Sequence, residues 1–177
     1  MHEEIKISID TDCIISLFNP SDLIHPAMLL IDQLFKEGRI NLYVSLKIID
    51  QLSVKGGDAL EYAQSLPRLP NYMVGTIRDL VGTIGSQSGT FGDAERNEIL
   101  QQKIRSWTKE GVNIRDRQIV IDSYLGGMEI MLTNDRDLCD DIPAGNLRKE
   151  LGLLIMNPDK LIAYINKSKI SEDWEND

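Results

Sequence analysis

Residues 5–18, with the sequence IKISIDTDCIISLF, combine a short apolar strand, two aspartates and a short apolar helix. Isoleucine at positions 5, 7 and 9 has the two-residue period of a strand. Asp10 and Asp12 follow where that strand ends, and residues 13–18 have the apolar character of a short helix. A strand that leads directly into a helix is the repeating unit of α/β folds.

The rest of the chain repeats this alternation of strands and helices. Further strands are predicted at residues 41–45, 129–133 and 153–156, and Pro158 is predicted to open the final helix. Strands that alternate with helices pair in parallel through crossover connections. The sequence therefore predicts an α/β fold, a three-layer α/β/α sandwich around a mainly parallel sheet of four or five strands.

The length of 177 residues suits one domain. We expect that domain to cover residues 1–167 and a flexible acidic tail to follow at 168–177. Residues 54–113 are predicted to form a helical and glycine-rich insertion. Within it, a helix is expected at 71–83, and the stretch GTIGSQSGTFG at 82–92 is expected to be a loop near a substrate groove.

The composition is that of a globular protein, with 42% hydrophobic and 27% charged residues. No apolar run approaches the roughly 20 residues of a membrane helix, and the start of the chain lacks the features of a signal peptide. We therefore expect no membrane contact and a cytoplasmic location. Cys13 and Cys139 lack the spacing of a metal motif and are expected to be structural thiols.

A net charge of -9 opposes broad electrostatic binding to nucleic acid, which depends on Lys and Arg. Several arginines nevertheless lie late in the chain, near two of the aspartates described next. The best placed to contact phosphate are Arg115, Arg117 and Arg136. A local basic strip on an acidic protein is therefore expected.

Four aspartates stand where a strand is predicted to end or a helix to begin or continue: Asp10, Asp50, Asp116 and Asp135. The carboxyl ends of parallel strands lie along one edge of a sheet, so residues distant in sequence can converge there. Carboxylate oxygens are the ligands that Mg²⁺ and Mn²⁺ prefer. The pattern predicts a metal site suited to phosphodiester hydrolysis.

The segments quoted so far resemble PIN domains. Residues 5–18 are similar to the first motif of that family, and residues 116–138, DRQIVIDSYLGGMEIMLTNDRDL, to its third and fourth motifs. The resemblance extends over residues 5–55 and 114–166, including the closing strand and helix. It implies a PIN-like fold with an insertion between the two matching parts.

The resemblance also implies roles for individual residues. Asp10, Asp116 and Asp135 would bind metal, Asp50 would take an acidic position at which the family usually has glutamate, and Asp137 would be an additional ligand. Asp12 stands where the family usually has Asn or Ser. Thr133 and Asn134 match its small polar residues, which bind substrate beside the metals.

The activity implied by the resemblance is that of a Mg²⁺- or Mn²⁺-dependent endoribonuclease, which hydrolyses RNA with a metal-activated water. The expected partners are RNA, an antitoxin-like protein if the chain is the toxin of a toxin–antitoxin pair, and a second copy in a homodimer. A PIN-like binding module with weak catalysis is the main alternative.

A phosphatase resembling haloacid dehalogenases is another alternative. It would use Asp10 as nucleophile, Asp12 as acid and base, and Ser45 to bind phosphate. A single aspartate at a strand end is more often a helix cap than a ligand, so the argument depends on the whole set. Asp32 and Asp122 are expected to be solvated charges on helix faces.

Overall fold

The computed structural model describes residues 5–69, 91–108 and 112–175, without the side chains of 91–95 and 168–175. Its strands are β1 (Ile5–Ile9), β2 (Ile40–Tyr43), β3 (Ile130–Leu132) and β4 (Leu154–Met156). The helices before residue 70 are α1 (Thr11–Leu17), α2 (His25–Lys36), α3 (Leu46–Ser53) and α4 (Asp58–Ser65). Those after residue 90 are α5 (Phe91–Trp107), α6 (Ile114–Leu125), α7 (Arg136–Cys139), α8 (Asp141–Leu151) and α9 (Pro158–Glu175).

The four strands form one parallel sheet in the order β2-β1-β3-β4. Ile5 of β1 pairs with Ile40 of β2, and Ile7 of β1 pairs with Ile130 of β3. The predicted α/β class and the predicted parallel sheet are therefore confirmed, with four strands in the described residues.

β1 lies inside the sheet although its sequence alternates between apolar and polar residues. Ile7 and Ile9 are fully buried, and Lys6 near the start of the strand is exposed. Ser8 is buried as well, and its hydroxyl donates to Oγ of Ser123 on α6 at 2.7 Å. This hydrogen bond satisfies a polar group that would otherwise be costly to bury.

The helices form two groups, one for each face of the sheet. Helices α1, α2, α4 and α9 belong to one group, in which α1 contacts α2 and α4, and α2 contacts α9. Helices α5, α6 and α8 belong to the other, in which α5 contacts α6 and α8. The result is the predicted three-layer α/β/α sandwich, with its core between sheet and helices.

Branched aliphatic side chains dominate that core. Ile7, Ile9, Ile14, Ile31 and Ile121 are among the largest fully buried side chains. Burying an isoleucine stabilises the folded state by about 1.5–3 kcal/mol relative to leaving it exposed. Cys13 and Cys139 are both free and buried, as expected for structural thiols.

The structure differs from the sequence-based elements mainly near the C-terminus. Two helices that the pattern did not predict, α7 and α8, follow β3. α9 continues through Glu175, so most of the residues expected as an acidic tail are helical. None of the helices in the described parts of the chain is long and apolar enough to cross a membrane.

Much of the predicted insertion falls between the described segments. The described part of residues 54–113 contains two helices, α4 and α5. The helix expected at 71–83 and most of the glycine-rich stretch 82–92 lie outside the described residues. The last two residues of that stretch, Phe91 and Gly92, begin α5.

Candidate functional site

The strand order places a topological switch point, the usual location of the ligand crevice in open α/β sheets, between β1 and β3. From β1 the chain moves to β2 on one side, and it then returns to β3 on the other side of β1. Ligands of open α/β sheets bind beyond the carboxyl ends of the strands at such a switch point. Asp10 follows β1 and Thr133 follows β3, and the Asp10 N–H donates to the carbonyl of Leu132 at 2.9 Å.

Asp10 is held in place through both of its carboxylate oxygens. As N-cap of α1 it accepts the N–H of Thr11 at 2.6 Å. Its other oxygen accepts the hydroxyl of Thr133 at 2.8 Å. Only 7% of Asp10 is exposed. The first predicted metal ligand is therefore a buried carboxylate with a restricted orientation.

Asp12 also lies at this edge and links the first motif to the segment after β3. One of its oxygens accepts the N–H of Cys13 at 2.8 Å, and the other accepts the N–H of Asn134 at 3.1 Å. The backbone of Asn134 thus contacts the site, whereas its side chain is exposed. The sequence argument did not place Asp12 among the metal ligands.

Asp116 and Asp135 are each positioned by the start of a helix. Asn113 caps α6 by accepting the N–H groups of Arg115 and Asp116, and its amide donates to the Asp116 carboxylate at 2.5 Å. Asp135 caps α7 by accepting the N–H of Asp137 at 2.9 Å. Both carboxylates are half-buried.

Thr133 connects two of these aspartates. Its hydroxyl donates to Asp10, and its oxygen accepts the N–H of Asp135 at 3.1 Å. Thr133 is fully buried, so its hydroxyl is engaged inside the protein. Thr133 thus positions two carboxylates, and the substrate contact predicted for it stays a prediction.

The charges of these side chains act on one another. Burial, then the charge of Asp12 and, more weakly, that of Asp116, raise the pKa of Asp10 to about 7. Burial raises the pKa of Asp12, and Asp135 adds to that increase. Burial, then the charges of Asp135 and Asp12, raise the pKa of Asp116. Asp10, Asp12, Asp116 and Asp135 are called the aspartate cluster below.

The aspartate cluster suits a hard divalent cation by its chemistry. It presents carboxylate oxygens, the ligands of Mg²⁺ and Mn²⁺, and its mutual repulsion would fall once a cation bound. Within the described residues, however, no three or more His, Cys, Asp or Glu side chains are already spaced to hold a metal ion. A bound ion would therefore have to draw the carboxylates closer together.

Asp50 does not share this environment. Its side chain is exposed on α3, and its carbonyl accepts the hydroxyl of Ser53 at 2.7 Å. The next residue, Gln51, contacts the start of α1 instead, where it accepts the hydroxyl of Thr11. A metal-binding role for Asp50 stays a prediction without support from the geometry.

The remaining predicted site residues differ in their exposure and in their hydrogen bonds. Arg117 donates from Nε to Gln101 at 2.9 Å and from Nη1 to the carbonyl of Val112 at 2.7 Å, so part of its guanidinium is engaged within the protein. Arg115 and Arg136 are exposed, and Asp137 is half-buried. Phosphate contacts by the three arginines and an ion contact by Asp137 stay predictions.

The expectation that Asp122 and Asp32 are solvated was wrong. Asp122 is fully buried, and it accepts the hydroxyl of Ser45 at 2.6 Å and the amide of Gln118 at 2.8 Å. Burial raises its pKa to about 6. Asp32 is also buried and is paired with Lys36 at 2.6 Å. The spacing of four residues between Gln118 and Asp122 was a signal that could have revealed this pair.

The contact between Ser45 and Asp122 also bears on the phosphatase alternative. That alternative requires the Ser45 hydroxyl to bind phosphate, but Ser45 is buried and donates to Asp122. Its oxygen additionally accepts the N–H of Lys47 as the cap of α3. Ser45 therefore makes its hydrogen bonds inside the protein, and this structure does not favour a phosphatase.

No protein-family model matches this sequence, and no curated protein shows a significant match to it. The resemblance to PIN domains therefore depends on the residues and motifs quoted above, and membership of that family stays a prediction.

Proposed function

We propose that this protein is a Mg²⁺- or Mn²⁺-dependent endoribonuclease whose active site is the aspartate cluster. Asp10, Asp116 and Asp135 would hold the cation, as the resemblance implies, and Asp12 joins them on the evidence of its position. The carboxyl edge between β1 and β3, where these residues meet, is where open α/β sheets bind their ligands.

One observation carries the proposal. Four aspartates from three separated parts of the chain meet at one edge, where burial and the negative charges of their neighbours raise the pKa values of Asp10, Asp12 and Asp116. Keeping like charges together costs free energy, and folds retain such arrangements more often at functional sites than elsewhere. A divalent cation is the ligand that would reverse this repulsion.

The side chains have distinct tasks in such a site. A bound cation would supply electrostatic stabilisation of the charge that develops on the phosphodiester during hydrolysis. Thr133 and the Thr11 N–H fix the orientation of Asp10, and Asn113 fixes that of Asp116. Preorganised groups avoid the cost of rearrangement during the reaction.

The charge distribution favours a substrate held mainly at the site. With a net charge of -9, the protein has little capacity for broad phosphate neutralisation. Arg115 and Arg136 are exposed next to Asp116 and Asp135 in sequence, so they are the side chains proposed to touch the RNA backbone. A cytoplasmic location, a homodimer and an antitoxin-like partner remain part of the proposal through the resemblance.

A binding module with weak catalysis is the second candidate. Its support is that the described carboxylates are not already spaced as a three-ligand group and that Asp50 is exposed on α3. Such a protein would keep the fold and the crevice without efficient hydrolysis.

Cleavage of end-labelled oligonucleotides distinguishes the candidates. Single-stranded RNA and DNA of one sequence would be incubated with the protein and Mn²⁺, with EDTA in place of Mn²⁺, and with the Asp116→Asn variant. The proposal predicts internal cuts in RNA that require both Mn²⁺ and Asp116. RNA binding without cuts would favour the binding module, and cleavage that persists in the variant would show that the cluster is not the active site.

A further inference from the structure

The start of α1 is tied to α3 through one side-chain contact. Thr11, between Asp10 and Asp12, donates its hydroxyl to the amide oxygen Oε1 of Gln51. Both residues are half-buried, so the contact lies near the surface of the protein and not in its core. The amide of Gln51 therefore links α3 to the residue between Asp10 and Asp12 of the aspartate cluster.

This contact determines which end of the amide is left for a ligand. Oε1 faces the Thr11 hydroxyl, so the two N–H groups of Nε2 point away from that contact. Across the described residues, Nε2 of Gln51 donates no hydrogen bond to the protein. The amide can therefore offer two hydrogen-bond donors beside a cluster whose carboxylates, when ionised, only accept.

A phosphodiester is the ligand that matches this pair of chemistries. Its non-bridging oxygens carry negative charge and accept hydrogen bonds, so carboxylates repel them and an amide N–H attracts them. A neutral amide also leaves the negative charge of the carboxylates available to a cation. A lysine at the same place would partly neutralise that negative charge.

We infer that Gln51, and not Asp50, is the α3 residue that serves this site, where its amide donates to a phosphate oxygen of the bound RNA. The inference deepens the proposed function and rests on it. Thr11 acts through Gln51 as a positioning residue, because its hydroxyl keeps the donor end of the amide turned towards the ligand. Asp50, one position earlier on the helix, has an exposed side chain.

The test replaces the amide by a carboxylate of almost the same shape. Gln51→Glu removes both donors and adds a negative charge, so it should weaken RNA binding while leaving Mn²⁺ binding equal or stronger. We expect KM for RNA to rise about tenfold to a hundredfold, equivalent to about 1.4–2.8 kcal/mol, with a smaller change in kcat. Isothermal titration with Mn²⁺ in the absence of RNA supplies a readout that does not depend on catalysis.

The matched control is Gln64→Glu, which makes the same chemical change at an exposed position of α4. It should leave KM within about twofold of the parent, which separates the local effect from that of one added charge. Thr11→Val should raise KM in the same direction as Gln51→Glu but by less, because the amide remains and only its orientation is freed.

RNA affinity, followed by fluorescence anisotropy before product forms, separates this inference from the proposed function. If the parent cleaves RNA and Gln51→Glu changes neither KM nor affinity relative to Gln64→Glu, the role of Gln51 is refuted. If the parent does not cleave but Gln51→Glu weakens RNA binding, the role stands and the nuclease proposal fails. If the parent neither binds nor cleaves RNA, both fail.

Discussion

The hydroxyl of Thr133 donates to the carboxylate of Asp10 at 2.8 Å, although the two residues are 123 positions apart in the sequence. The same hydroxyl oxygen accepts the N–H of Asp135. Through this one side chain, the segment after β3 orients a carboxylate that belongs to the first strand.

Thr133→Val tests that relationship. The two side chains have similar shapes, but valine removes a hydrogen bond that lowers the pKa of Asp10. The free energy of unfolding should fall by about 1–3 kcal/mol because a buried acceptor loses its partner. Urea denaturation would measure this loss. The acidic side of the pH dependence of the cleavage rate should also move to higher pH. A pH dependence that does not move would contradict the role of Thr133.

Stability should depend on pH through Asp10. Its pKa is raised from 3.8 to about 7 in the folded state, so between these pH values the folded state binds more protons than the unfolded state. The contribution of Asp10 to the free energy of unfolding is therefore present in full below about pH 4, and it is lost as the pH rises to about 7. The Asp10→Asn variant does not undergo this loss. Its free energy of unfolding should therefore exceed that of the parent by on the order of 2 kcal/mol at pH 8.

Denaturant unfolding at pH 4 and pH 8 would show this difference. At pH 4 the parent and Asp10→Asn should have similar stabilities, since the carboxyl is protonated in the folded parent and only partly ionised in the unfolded parent, so most of the loss has not yet developed. A variant that is less stable than the parent at pH 8 would show that Asp10 is not under electrostatic strain in the metal-free protein.

The buried pair of Ser45 and Asp122 predicts a second pH effect. Ser45→Ala removes a hydrogen bond to a fully buried carboxylate whose pKa is raised to about 6. The free energy of unfolding should fall by about 1–3 kcal/mol at pH 8, where Asp122 is ionised, and by less at pH 4. Ser53→Ala, at the exposed end of the same helix, is the control and should change stability by less than about 0.5 kcal/mol. Equal costs at both pH values would refute this account.

Two aspartates predicted for the same site should behave differently towards metal. Asp116 shares the cluster's electrostatic interactions, whereas Asp50 is exposed on α3. Asp116→Asn should weaken Mn²⁺ binding at least tenfold, equivalent to about 1.4 kcal/mol, and Asp50→Asn should leave it within about twofold. Isothermal titration measures both. A large effect of Asp50→Asn would return that residue to the site.

The sequence predicted most of the fold because its strands have distinct apolar patterns. The isoleucines of β1 and the apolar run of β3 identify strands locally, and the alternation with helices implies their parallel pairing. α7 and α8 were missed, since residues 136–151 are mostly polar with scattered apolar positions, and α8 is anchored by packing against β4 and α5. Packing of that kind is not visible in local periodicity.

The site was predictable where one residue directly ends a strand or opens a helix. Asp10, Asp116 and Asp135 are such residues, and the structure brings them together. Asp50 and Gln51 point in directions that differ by about 100° around α3. An error of one residue in predicting which side of the helix faces the site therefore selects Asp50 instead of Gln51. The burial of Asp122 depends on Ser45, 77 residues away, and only the assembled fold reveals such a partner.

Cleavage of mixed RNA by parent and Asp10→Asn protein, purified in parallel and followed over time with Mn²⁺ and with EDTA, tests the central claim most directly. The account predicts that only the parent with Mn²⁺ cleaves, while the variant remains folded and at least as stable. Parallel purification controls for contaminating ribonuclease, because a contaminant would act equally in both samples. Equal cleavage by the two proteins, or no cleavage together with no effect of Mn²⁺ on the melting temperature of the parent, would contradict it.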